Sequence, residues 1–281
     1  MPRLTPVALL LFLCATIAPA QSSRSAGSYF ERAIQRYAQG DLNGAISDFD
    51  VVLIFAPRAA AAYSNRGIAR YDNGDFNGAI ADFNQALEID PNSAEVYNNR
   101  GAARRVKGDL TGALSDYTKA IEIKPRFAHA LYNRANVRDD LGDRDGAIND
   151  YTAAIRINSR LVEAYEGRGN DRLVKGDVDG AMADYAQAIR INPRRAFSYL
   201  GRGNSRAHKH DLEGAVADYT RAIELDPSFA AAYLNRGLLL LIMERTTEAK
   251  RDFDQSLKLD SSLKGTLEAQ IKSEKRTASK H

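Results

Sequence analysis

The sequence predicts an all-α solenoid of seven helix-turn-helix units closed by a C-terminal capping helix. Three observations carry this. One pattern returns every 34 residues without a gap, in units that begin at Ala26, Ala60, Ala94, Ala128, Val162, Ala196 and Ala230 and end at Leu263, and a fixed period of that length marks stacked supersecondary units. Within each unit the apolar residues recur at helical spacing. Each unit is also punctuated, usually by a Gly-Asp pair near its middle and a proline near its end.

The unit Ala60 to Ser93, AAAYSNRGIARYDNGDFNGAIADFNQALEIDPNS, serves as the template. Tyr63, Gly67, Ile68, Arg70 and Tyr71 trace the first helix. Gly74 ends it as a left-handed cap, and Asp75 follows as N-cap of the second. Phe76, Ala79, Ile80, Phe83, Ala86, Leu87 and Ile89 form that helix's apolar face, and Pro91 closes the unit. Gly67 recurs as Ala33, Gly101, Ala135, Gly169, Gly203 and Gly237, and Ala79 as Ala45, Ala113, Ala147, Ala181, Ala215 and Ala249. These small residues mark where the two helices cross. Aromatic residues fill the space around them: Phe49, Phe83, Tyr117, Tyr151, Tyr185, Tyr219 and Phe253. One hairpin cannot bury such a face alone, so neighbours stack.

The Tyr, Gly, Ala, aromatic, Ala and Pro places at this spacing resemble the tetratricopeptide repeat, over Ala26 to Leu263. The resemblance implies a right-handed superhelix, a concave groove lined by the first helices, and a role in binding proteins or extended peptides.

Taken in order, Met1 to Ala20 reads as a secretory leader. Arg3 is the positive start, Val7 to Ile17 the apolar stretch, and Ala18-Pro19-Ala20 the small-residue site cleaved before Gln21. Cleavage would remove the only cysteine, Cys14, and leave stability to stacking. A soluble periplasmic or secreted chain is expected, with no further apolar run long enough for a membrane span. Residues 21–25 read as a polar linker. The unit from Ala26 is greasier than the rest, through Phe30, Ile34, Val51 and Phe55. It reads either as a terminal cap or as an open apolar patch. The units from Ala60 to Ala196 are close copies, except that Ser159 replaces the closing proline and His210 the turn glycine. In the unit from Ala230, Glu244-Arg245 replaces Gly-Asp. Ser262 to Arg276 reads as the capping helix, with Leu263, Leu267 and Ile271 on one stripe, and 277–281 as a frayed tail.

The formal charge is +3 over 281 residues, too balanced for a nucleic-acid track. No cofactor, metal or catalytic residue is expected: the glycines follow the repeat phase rather than a phosphate loop, and the repeats leave no room for a catalytic domain. Two rows remain as candidate sites. Arg32, Arg66, Arg100, Arg134, Arg168, Arg202 and Arg236 share one place, and Asp48, Asp82, Asp116, Asp150, Asp184, Asp218 and Asp252 another. The equal numbers and opposite signs suggest a structural ion-pair ladder. The alternative is an arginine stripe for an anionic ligand. A second set, Arg36, Arg70, Arg104, Arg138, Arg172 and Arg206, lies one turn on. The other row is asparagine: Asn65, Asn99, Asn133 and Asn235 at one place, Asn136, Asn170 and Asn204 three residues later on the same face. With Tyr132 they would line the groove and hold an extended backbone, since an amide both donates and accepts. The alternative is that some bond the neighbouring helix. Gly167 and Gly201 interrupt the row and are expected to leave room. The functional expectation is a non-enzymatic protein- or peptide-binding scaffold. Its alternative is a structural adaptor that joins an envelope assembly through its edges or its first repeat.

Overall fold

The computed structural model describes residues 20–269, with side chains from Ser25 onward. Residues 1–19 of the leader, with Cys14, and the segment from residue 270 lie outside the described residues, whereas the expected cleavage point, Ala20–Gln21, falls in the first turn of the first helix. Among those described, every regular element is helical. The chain divides into two compact units, one ending at Ile157 and the other beginning at Asn158.

The first unit contains α1 (Ala20–Ala38), α2 (Leu42–Phe55), α3 (Ala60–Asp72), α4 (Phe76–Ile89), α5 (Ala94–Val106), α6 (Leu110–Ile123), α7 (Ala128–Asp140) and α8 (Arg144–Ile157). Each odd-numbered helix packs on the next even one, and α2, α4 and α6 each pack on the odd helix that follows. The core therefore runs between hairpins: Ile68 and Tyr71 of α3, Phe83 and Leu87 of α4 and Val96 of α5 form one continuous cluster. The second unit contains α9 (Val162–Val174), α10 (Val178–Ile191), α11 (Ala196–His208), α12 (Leu212–Leu225), α13 (Ala230–Ile242) and α14 (Thr246–Leu259). It stacks the same way, with Leu200, Tyr219, Ile223 and Leu239 at its centre. A 3-10 turn, Ser261–Leu263, leads into helical residues 264–269, where Leu267 is buried.

The punctuation follows from local chemistry. Gly40, Gly74, Gly108, Gly142 and Gly176 end their helices at φ of 81° to 85°, where a Cβ is disfavoured. His210 and Glu244 stand at the same place with φ of 61°. Asp41, Asp75, Asp109, Asp143, Asp177 and Asp211 each accept a hydrogen bond from the backbone N–H three residues on, which satisfies an otherwise orphaned donor. α14 has Arg245 at its N-cap place, which makes no side-chain cap bond.

Residues 21–25 differ from expectation, being the opening of α1 rather than a linker. They contain neither glycine nor proline, and a helix once nucleated propagates through such residues readily. α1 also carries an exposed Gln35 where later first helices bury Ala69, Ala103, Val137, Asp171, Ser205 and Leu239.

Candidate functional site

The arginine and aspartate rows meet inside each hairpin. Nε of Arg32, Arg66, Arg100, Arg134, Arg168, Arg202 and Arg236 donates to one carboxylate oxygen of Asp48, Asp82, Asp116, Asp150, Asp184, Asp218 and Asp252 respectively, and Nη2 to the other. All these distances lie between 2.5 and 2.9 Å. The partners are 16 residues apart, so each pair ties the first helix of a hairpin to its own second helix. Arg36, Arg70, Arg104, Arg138, Arg172 and Arg206 reach the same aspartates at 2.7 to 3.0 Å. They also donate to the carbonyls of Gly44, Gly78, Gly112, Gly146, Gly180 and Gly214. In the last hairpin Leu240 stands at this place.

The remaining nitrogen of the first arginine points to the preceding hairpin: Arg66 Nη1 bonds Asp50 at 2.5 Å, Arg100 bonds Asn84 at 2.7 Å, and Arg236 bonds Thr220 at 3.0 Å. Guanidinium carbons also stand over Tyr29, Tyr63, Tyr97, Tyr165, Tyr199 and Tyr233, 4.6 to 5.8 Å from the ring centres. These side chains are committed to internal partners, which is the arrangement of a structural clamp. The bond from Arg32 holds the Asp48 carboxyl below its ordinary value, against the opposing effect of burial.

The asparagine row is less uniform. Asn170 is exposed on α9. Asn65 folds back onto the carbonyl of Ala61 at 2.8 Å. Asn133 donates to Asn98 of α5 at 2.9 Å, and Asn99 is buried beside Asn98. Asn136 accepts from Tyr151 Oη at 2.6 Å. Asn204 accepts from Tyr219 Oη at 2.8 Å and from Asn235 Nδ2 at 2.9 Å. Tyr132 is half-buried, its ring 6.0 Å from that of Tyr151. Asn99 is therefore corrected from a groove residue to an interior one. Asn133, Asn136, Asn204 and Asn235 spend part of their hydrogen-bonding capacity between helices, because tight stacking brings amides of adjacent first helices within reach.

The room expected at Gly201 is filled. A Cβ built there would lie 2.2 Å from the Tyr185 ring, so the second helix of one hairpin seats its aromatic against the first helix of the next. One acidic residue of a first helix is buried rather than open to the groove. Glu166 of α9 accepts from Arg195 at 2.8 Å and from Ser198 Oγ at 2.6 Å, and Arg195 also reaches Glu163 at 3.2 Å. The spacing of 29 to 32 residues, just short of one period, was the available signal. Among the described residues no three His, Cys, Asp or Glu side chains are placed to hold a metal ion, and no helix is long and apolar enough to cross a membrane.

Family models described as TPR or tetratricopeptide repeat match residues 69–105, 94–127, 132–196, 203–241 and 230–263. No curated protein matches. Among solved structures, the chain is similar to a tetratricopeptide repeat protein from Parabacteroides merdae, at 21% identity and a TM-score of 0.68, over 89% of this chain and 98% of that one. It is also similar to MamA, at 26% identity and 0.55, over 62% and 94%. A third is YrrB, described as a TPR protein with an unusual peptide-binding site, at 23% identity and 0.55, over 66% and 95%.

Proposed function

Given that the chain belongs to the tetratricopeptide repeat family, we propose that it is an exported, non-catalytic scaffold that holds an extended protein segment against its first helices. The face shared by α11 and α13 carries the reading. Phe197 and Ile242 are each 45% exposed, although both are large and apolar. Asn204 lies seven residues after Phe197 and Asn235 seven before Ile242, two helical turns in each case and so on the same faces. The two amides are joined to each other, and the NH2 group of Asn204 remains to donate. A segment laid across this face would bury apolar surface and still find amide partners for its backbone. Export is proposed from Arg3, the apolar stretch Val7 to Ile17 and Ala18-Pro19-Ala20.

Panning a peptide display library against the purified protein tests the binding claim. Selected peptides should lose at least about tenfold in affinity, or about 1.4 kcal/mol, when Phe197→Asp and Ile242→Asp are combined, with helicity unchanged. Peptides that bind the variant as well as the parent would remove the claim. Sequencing the exported protein's N-terminus should give Gln21 first.

One observation favours the adaptor reading as the second choice. Ile54 and Phe55 of α2 are 74% and 42% exposed, and Ile54 stands where other repeats carry Glu88, Glu122, Arg156, Arg190, Glu224 and Lys258. If α2 is the working surface, Ile54→Glu should abolish partner binding while the α11–α13 variants leave it intact.

A further inference from the structure

We propose that the hairpin of α9 and α10 carries a site for a phosphate group, separate from the first-helix face. An open cavity of about 690 Å3 lies beside this hairpin, lined by Ser159, Arg160, Tyr165, Gln187, Arg190 and Ile191. Its two guanidiniums have no hydrogen-bond or ion-pair partner among the described residues. Glu163 and Glu166, three and six residues after Arg160, already hold Arg195, at 3.2 and 2.8 Å.

The charges at these two places vary along the chain. They are opposite at Arg58 and Glu88 and at Arg194 and Glu224, and alike at Arg126 and Arg156 of the preceding hairpin and at Arg160 and Arg190. Arg160 and Arg190 line one cavity that no carboxylate lines. The closing proline is also missing, so Ser159 adds a hydroxyl to the wall. An anion is the ligand that offsets two like charges. Two guanidinium forks, a hydroxyl and the Gln187 amide offer more donors than the two oxygens of a carboxylate can use, and suit the three terminal oxygens of a phosphate. The cavity lies within the range that takes a small molecule, and Tyr165 and Ile191 provide an apolar wall for an organic body attached to the phosphate.

The test titrates the full protein with inorganic phosphate and, separately, with O-phosphoserine at fixed ionic strength, following arginine side-chain NMR signals. Saturable shifts should appear at Arg160 and Arg190, and Arg160→Gln with Arg190→Gln should weaken binding at least tenfold. Arg126→Gln with Arg156→Gln is the control, since those residues occupy the same two repeat places but have Pro125 at the place of Ser159; binding should stay within about twofold. Tighter binding of O-phosphoserine would identify a phosphorylated molecule as the source, and equal binding free phosphate; either supports the site. Equal losses in the two double variants, or no saturation up to about 10 mM, would overturn it.

Discussion

Asp116 illustrates how one residue can hold a hairpin. Its side chain is 3% exposed, receives two bonds from Arg100 and a third from Arg104, and so joins two helices through a desolvated carboxylate. Removing one member of such a pair leaves uncompensated buried charge, whereas replacing both with apolar groups is tolerated far better. Asp116→Ala should therefore cost about 3 kcal/mol in urea unfolding. Asp116→Leu combined with Arg100→Met and Arg104→Met should recover most of that. Asp48 gives a pH signature. Its carboxyl lies below the ordinary 3.8 when folded, so the unfolded chain takes up its proton first. The stabilisation is complete above the unfolded value and is lost as pH falls through the folded one. The stability gap between the parent and Asp48→Asn should be flat above pH 5 and close below 3.8; a gap that widens in acid would contradict this.

At the scale of the element, the helices were legible wherever local chemistry decides them. The Gly-Asp turn, the N-capping aspartates and the small residues at the crossing all follow from backbone geometry and side-chain size within one hairpin. The exceptions carry a cost. Glu244 adopts φ of 61° and α14 lacks a side-chain cap, where five other hairpins have a left-handed glycine. Restoring the turn as Glu244→Gly with Arg245→Asp should stabilise the protein by about 2 kcal/mol, from relieved backbone strain and a new cap, read as a higher urea midpoint. The asparagine row was only partly legible. Its placement on first helices follows from periodicity, but whether an amide faces out, as Asn170 does, or turns to a neighbour, as Asn133 does, depends on side chains 31 to 35 residues away. Gly201 makes the same point: the Tyr185 ring that fills its space lies on the preceding helix.

For the whole molecule, contacts run mainly between successive helices, so stability is distributed hairpin by hairpin rather than pooled in one core. Local opening should then differ along the chain. Amides of α13 and α14, where α14 lacks the side-chain cap that Asp211 gives α12, should exchange with solvent faster than those of α11 and α12; the reverse order in native-state hydrogen exchange would count against this ranking. The arginine-aspartate clamp has one more consequence. Because both charges of each pair lie within one hairpin, a whole 34-residue module can be duplicated or lost without stranding either charge. What the arginine touches next door varies freely among aspartate, asparagine and threonine. Copy number can therefore drift during evolution, with each new module arriving with its own carboxylate already paired.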